Sequence, residues 1–292
     1  MTAEQPDALI ARLQAQATRH TTPLSDSSDE GETVWHCWGA PQADQPPLVL
    51  LHGGSGSWTH WVRNIDELVA AGRQVWIPDL PGFGDSGLPA AGSDADAIVA
   101  PLASGMRALF GPQSVDLVGF SFGGMTAGML LAAHAELARQ LVLVGAPAMG
   151  VVPRRQFELK AWRHLPPAEQ LDIHRYNLAA LMLHDAALID GLALSVHVAN
   201  VVRDRMPRRR LAHTDVLARS LPQVTCPVHA IYGQRDALYK EWITALEGAY
   251  AAAAPRFQGF TLIPEAGHWV QFERPASFLQ ALLAALREGA RG

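Results

Sequence analysis

The chain has 292 residues, of which 49% are hydrophobic and 17% charged. That length and apolar content bury a core without disulfide or metal staples, which excludes the disordered, collagen-like and coiled-coil classes. A net charge of -5 leaves no global basic field for nucleic acid or an anionic membrane surface, so neither is an expected partner.

From the N-terminus, Met1 to His20 carries the early acids Glu4 and Asp7 and no apolar run of the kind that makes a secretory signal. No stretch approaches the roughly 20 apolar residues of a membrane helix, and the expected setting is cytoplasmic. Cys37 and Cys226 lack the close spacing of a zinc or redox pair and read as reduced thiols. Residues 21–32, TTPLSDSSDEGE, are polar and turn-prone and read as a loop. Strand-length apolar runs follow at 34–38, 48–51, 75–77, 115–119, 141–144, 228–232 and 260–263. Helix-length segments lie between or after them, at about 58–71, 95–109, 122–138, 240–253 and 277–287. This alternation predicts an α/β fold: a mainly parallel sheet covered by helices on both faces, with ligands collecting beyond the carboxyl ends of the strands.

The alternation stops between Ala148 and Pro222, where only helical stretches are expected, at 154–163, 167–182, 187–205 and 208–217. The predicted organisation is a core of residues 1–147 and 223–292 carrying an all-helical cap, residues 148–222. The cap holds 11 Lys and Arg against 7 Asp and Glu, whereas the rest of the chain holds 12 against 21. Solvated helix faces account for this excess, Arg208-Arg209-Arg210 included; the alternative is that Arg203 or Arg205 faces a cleft and attracts an anionic substrate.

Gly119-Phe120-Ser121-Phe122-Gly123 sits between a predicted strand and a predicted helix. In that setting the flanking glycines permit a sharp turn that exposes the serine hydroxyl at a helix N-terminus. A serine needs a base oriented by a third group, and the chain offers both just past strands: Asp236 after 228–232 and His268 after 260–263. Ser121, Asp236 and His268 are therefore the expected catalytic residues. The bend His52-Gly53-Gly54-Ser55-Gly56 follows another strand, so the Gly54 N–H and the Phe122 N–H are the expected oxyanion donors, with His52 orienting the loop. Aromatic candidates for an apolar pocket are Trp58, Trp61, Trp162, Trp269, Phe120, Phe122 and Phe157; Trp58, Phe120, Phe122 and Trp269 adjoin proposed catalytic elements. Gly82-Phe83-Gly84-Asp85-Ser86-Gly87 matches a dinucleotide fingerprint, but Pro89 and Gly92 stand where the helix would be needed, so no phosphate is expected to dock there. No His, Cys, Asp or Glu group has metal-ligand spacing, so neither a metal nor another cofactor is expected.

The segments LVLLHGGSGSW, PDLPGFGDSG, GFSFGG, GQRDAL and AGHWVQFERP, in this order, resemble the α/β-hydrolase superfamily with a helical cap. The resemblance implies a cofactor-free enzyme with Ser121, Asp236 and His268 as its triad, and a structural turn at 82–87 that Asp79 and Asp85 fix by local side-chain to backbone bonds. Serine at the elbow separates the chain from the branches that attack through a carboxylate, the haloalkane dehalogenases and epoxide hydrolases. The GHW-x-Q-x-E run from Gly267 is similar to the carbon–carbon bond hydrolases of aromatic ring degradation. Those enzymes usually carry Asn before the nucleophile and a GPG turn in the oxyanion loop, where this chain has Phe120 and Gly54-Ser55-Gly56. The expected activity is hydrolysis of a small to medium carboxylic ester. The alternatives are cleavage of a carbon–carbon bond next to a ketone, and a ligand-binding receptor with negligible turnover.

Overall fold

A computed structural model describes residues 6–25, 31–89, 92, 94–189, 191–206 and 208–288. Its strands are β1 (Thr18–Pro23), β2 (Glu32–Trp38), β3 (Leu48–Leu51), β4 (Val75–Pro78), β5 (Val115–Phe120), β6 (Ala138–Val144), β7 (Val228–Gly233) and β8 (Phe257–Ile263). They form one sheet in the order β1-β2-β4-β3-β5-β6-β7-β8. β2 is antiparallel to both its neighbours, and every pairing from β4 to β8 is parallel. The helices are α1 (Pro6–Gln16), α2 (Ile65–Ala70), α3 (Asp96–Phe110), α4 (Phe122–Ala133), α5 (Pro167–Asn177), α6 (Leu192–Val201), α7 (Val216–Ser220), α8 (Ala245–Ala253), α9 (Val270–Glu273) and α10 (Pro275–Glu288).

Each strand of the parallel part feeds two cores, which explains the continuous apolar runs. Along β3, Val49 and Leu51 belong to the core to which α3, α4 and α8 contribute, while Leu48 and Leu50 belong to the core to which α1, α2 and α10 contribute. A strand covered on both faces has no polar position to alternate with, so β3, β5 and β7 are buried throughout.

The structure corrects the expected elements where local pattern is weak. Residues 21–23 belong to β1 and Glu32 opens β2, so part of the expected loop is paired sheet; residues 26–30 lie outside the described residues. β1 (TRHTTP) has a partner on one edge only and little apolar content, and its pairing with β2 is what makes it a strand. The expected helix at 58–71 is a 3-10 turn at Trp58–Trp61 followed by α2. Residues 154–163 form no helix: Asn177 closes on the backbone of Lys160 from both sides, accepting its N–H at 2.8 Å and donating to its carbonyl at 3.0 Å. An amide side chain thus satisfies the polar groups that helical bonds would otherwise take up. The stretch at 187–205 contracts to a short 3-10 turn and α6, and that at 208–217 to a 3-10 turn at Leu211–His213 with α7 beyond it. Between β6 and β7 the described residues contain helices and loops, with no strand.

Candidate active site

Parallel strands share one carboxyl edge, and the segments leaving β3, β5, β7 and β8 there carry the predicted groups. The serine follows β5 directly. Ser121 adopts φ 51° and ψ −118°, a left-handed conformation costly for a residue with a side chain. The turn is this sharp because the chain folds onto itself: a Cβ on Gly119 would stand 2.5 Å from the Gly123 carbonyl oxygen, and one on Gly123 would stand 2.4 Å from that of His52. Only glycine fits at either position, which is the physical content of the motif.

His268 Nε2 lies 2.8 Å from Ser121 Oγ, and His268 Nδ1 lies 2.9 Å from Asp236 Oδ2. The other oxygen of Asp236 accepts the Leu238 N–H at 2.9 Å. A carboxylate only accepts, so Nδ1 carries a proton, and in the neutral ring Nε2 is the acceptor that faces the hydroxyl. Asp236 is wholly buried and His268 nearly so, which removes competing water from this chain of bonds. The structure thus brings together all three predicted residues from segments far apart in sequence.

The bend after β3 carries Gly54, and the first turn of α4 carries Phe122. Among the described residues, neither backbone N–H has an internal acceptor. Donors left unpaired beside a serine hydroxyl are placed to receive an oxyanion. His52 fixes the entry to this loop, accepting the Leu80 N–H through Nε2 at 2.9 Å and donating from Nδ1 to the Gly53 carbonyl at 2.8 Å. Burial pushes its pKa below the ordinary imidazole value despite nearby Asp79 and Asp204, so it stays the neutral tautomer these bonds demand.

Ser121 and His268 open into a cavity of about 830 Å³ lined by Gly54 and Phe120 from the core and by Phe157 and Trp162 from the insertion, among others. Of the predicted pocket residues, Trp61 is buried in the core, whereas Phe120, Phe122, Phe157 and Trp162 line the cavity, the Phe120 ring 5.1 Å from that of His268. Trp58 and Trp269 do not. Trp58 packs against Trp38 and His36, and Trp269 stacks on Phe272 while donating from Nε1 to the His60 carbonyl at 2.9 Å. Both sit next to candidate catalytic elements in sequence, yet their side chains point into the core.

The arginines are also redistributed. Arg203 pairs with Asp85, and Arg205 donates to the carbonyls of Phe83, Gly84 and Ser86, so both brace the 79–87 turn and neither lines the cavity. Arg209, expected on a solvated helix face, does line it. Asp79 holds the turn as expected, accepting the Asp85 N–H at 2.8 Å and the Trp58 N–H at 2.9 Å, whereas Asp85 contributes its backbone N–H and its carboxylate goes to Arg203 instead of to the local backbone. Folding gathers His36, Asp79 and Asp85 into the one group among the described residues with ligand atoms close enough for a metal, a proximity that sequence spacing does not reveal. The Arg203 guanidinium, bonded to Asp85 and 4.0 Å from Asp79, supplies positive charge there.

Two further histidines on the cavity wall carry no motif. His60 Nδ1 accepts the Gly53 N–H at 3.2 Å, and burial, with His52, His197 and His268 nearby, holds it well below the usual imidazole range. Burial and the adjacent His174 pull His197 down to about 4. Both are therefore neutral groups on a largely apolar wall.

The Alpha/beta hydrolase family profile matches residues 48–281, four-fifths of the chain and every element of this site. The chain belongs to the α/β hydrolase family. Among the relatives of this α/β hydrolase is the 2-hydroxymuconate semialdehyde hydrolase of Pseudomonas sp. (strain CF600), 29% identical over 245 residues, covering 80% of this chain and 83% of the relative. Another is the 2-hydroxy-6-oxo-6-phenylhexa-2,4-dienoate hydrolase of Burkholderia cepacia, 26% identical over 257 residues, covering 83% and 88%. In fold it is similar to a putative aryl esterase from Burkholderia cenocepacia, with a TM-score of 0.74 at 23% identity over 94% of this chain and 100% of the other. It is also similar to a meta-cleavage product hydrolase from Pseudomonas fluorescens IP01, with a TM-score of 0.71 at 22% identity over 88% and 95%. Among the described residues no helix is long and apolar enough to cross a membrane.

Proposed function

We propose that this α/β hydrolase cleaves a small to medium carboxylic ester through an acyl-enzyme. His268 Nε2 takes the Ser121 proton as the hydroxyl oxygen attacks the ester carbonyl, and Asp236 holds the imidazole and stabilises its cation. The N–H groups of Gly54 and Phe122 bind the oxyanion, and the proton on His268 passes to the departing alkoxide. Water, activated by the same imidazole, then releases the acid. The observation that carries the reading is the hydrogen-bond chain Ser121–His268–Asp236, 2.8 and 2.9 Å long, beside two unpaired amide donors at the floor of a cavity. The Phe120 ring beside His268 makes that floor apolar, which suits an acyl chain.

The second reading is hydrolysis of a carbon–carbon bond next to a ketone, favoured by the names of the relatives above. The same nucleophile and oxyanion donors serve it, but the leaving group is then a carbon that must receive a proton.

A panel of p-nitrophenyl esters of increasing acyl length, run beside a ring-fission dienol ketone, separates the two. Ester turnover with kcat/KM rising to a medium acyl length is expected, and Ser121→Ala is expected to lower kcat by roughly 10³-fold or more. Turnover of the ketone alone establishes the second reading. Undiminished activity in Ser121→Ala refutes both.

A further inference from the structure

The oxyanion loop, residues 52–59, has three hydroxyl side chains, and each is fastened to the insertion. Ser55 Oγ donates to Asp204 Oδ2 at 2.5 Å, and Ser57 Oγ donates to Asn200 Oδ1 at 2.8 Å. Asn200 Nδ2 returns a bond to Thr59 Oγ1 at 3.0 Å. Asn200 lies in the last turn of α6 and Asp204 four residues on, so the end of one helix meets alternate residues of one loop. Arg209 completes the latch, donating to Asp204 Oδ2 at 2.6 Å and to Ser55 Oγ at 3.0 Å. Its guanidinium lies against the loop, with Nε 3.0 Å from where a Cβ on Gly54 would stand.

Gly54 is the one residue of this bend that needs its amide free. On one side, the Gly53 N–H is spent on His60. On the other, Ser55 is held at φ 51°, a left-handed conformation that a serine does not adopt without external restraint. Among the described residues, the hydrogen bonds of the Ser55 side chain go to Asp204 and Arg209. Asp204 remains an ion in this half-buried place: burial raises its pKa, and Arg209, the Ser55 hydroxyl and the Met206 N–H outweigh that and hold it below the ordinary carboxylate value.

Resting on the hydrolase reading above, we propose that Asp204, Asn200 and Arg209 are positioning residues that set the Gly54 N–H, so that the oxyanion hole is complete only while the insertion is seated on the core. Seating the insertion covers the cavity and aims the donor in one event. Water is then excluded at the moment the donor becomes competent.

The test uses the intact chain with Ser55→Ala and Asp204→Asn, and Ser121→Ala as the reference. Four quantities are read: kcat and KM on the best ester, the inhibition constant of an alkyl trifluoromethyl ketone, which forms an oxyanion on the serine, and that of the matching alcohol, which does not. The expected result is a fall in kcat of about 10- to 100-fold, part of the loss that follows removal of an oxyanion donor. KM and the alcohol constant are expected to stay within about twofold while ketone affinity falls in step with kcat. Wild-type kcat in the two variants overturns the proposal. So does a loss of alcohol affinity equal to the loss of ketone affinity, because a merely structural role weakens both. A fluorophosphonate keeps the two levels apart. If it fails to label Ser121 in wild type, the hydrolase reading itself falls, whereas full labelling with unchanged kcat in Ser55→Ala and Asp204→Asn removes only the positioning role.

Discussion

Asp236→Asn is the substitution whose consequence the geometry specifies most closely. The carboxylate makes two bonds, both as acceptor: one to His268 Nδ1–H at 2.9 Å and one to the Leu238 N–H at 2.9 Å. An amide of the same shape has one accepting oxygen. If that oxygen stays on Leu238, the NH₂ faces Nδ1, the imidazole moves its proton to Nε2, and no base remains opposite Ser121. If it turns to His268, the NH₂ meets the Leu238 N–H at a wholly buried site, at a cost of about 1–3 kcal/mol. The variant therefore spends most of its time in the inactive tautomer. In the remaining fraction the imidazolium formed during attack lacks its counter-charge, worth about 4 kcal/mol at 4 Å with an effective dielectric near 20. Together these amount to about 6 kcal/mol, or roughly 10⁴-fold in kcat at 1.4 kcal/mol per decade. KM should change little, since Asp236 does not line the cavity. Steady-state kinetics on the best p-nitrophenyl ester, with circular dichroism to establish folding, is the assay. A folded Asp236→Asn variant with kcat within tenfold of wild type refutes the reasoning.

The neutral histidines make folding stability depend on pH. His197 has a folded pKa of about 4 against an unfolded 6.5, so the unfolded chain binds more protons between these values. Stability is complete above about pH 6.5 and falls as pH drops towards 4, by about 2 kcal/mol at pH 5 from this residue, and His60 adds to it in the same direction. Thermal midpoints between pH 7 and 5 should fall less steeply in His197→Gln than in wild type; equal slopes exclude His197 as a source. Glu273 is buried and accepts the N–H groups of Gly267 at 2.6 Å, His184 at 3.2 Å and Asp185 at 2.5 Å, tying the His268 loop to the insertion. Glu273→Gln turns one of those acceptors into a donor, so a loss of about 2–3 kcal/mol in urea unfolding is expected, together with a lower kcat; unchanged stability refutes this. Arg203→Ala should lower the thermal midpoint by loosening the 79–87 turn while leaving the ratio of kcat/KM for a carboxylate-bearing ester over its neutral analogue unchanged. A changed ratio would return Arg203 to the cleft.

Short-range physics makes the central strands, the turn at Ser121 and the chain order of the three candidate residues legible in the amino-acid sequence. A strand buried on both faces must be apolar at every position, as Leu48–Leu51 is, and a parallel sheet puts the residues that follow its strands on one edge, as with Ser121, Asp236 and His268. The glycines at 119 and 123 state a steric demand of the turn that contains them. Other features depend on partners distant in sequence. β1 is a strand because β2 offers it an edge, and Lys160 is held out of a helix by Asn177. Sequence neighbourhood placed Trp58 and Trp269 beside the catalytic groups, but side-chain direction, which follows from the packing of Trp38 and Phe272 against them, put both in the core. The arginines of the insertion are alike in sequence. Only the fold decides that Arg203 and Arg205 clamp a turn while Arg209 reaches Ser55, because a long charged side chain goes to whichever carboxylate or carbonyl the tertiary contacts bring within its reach.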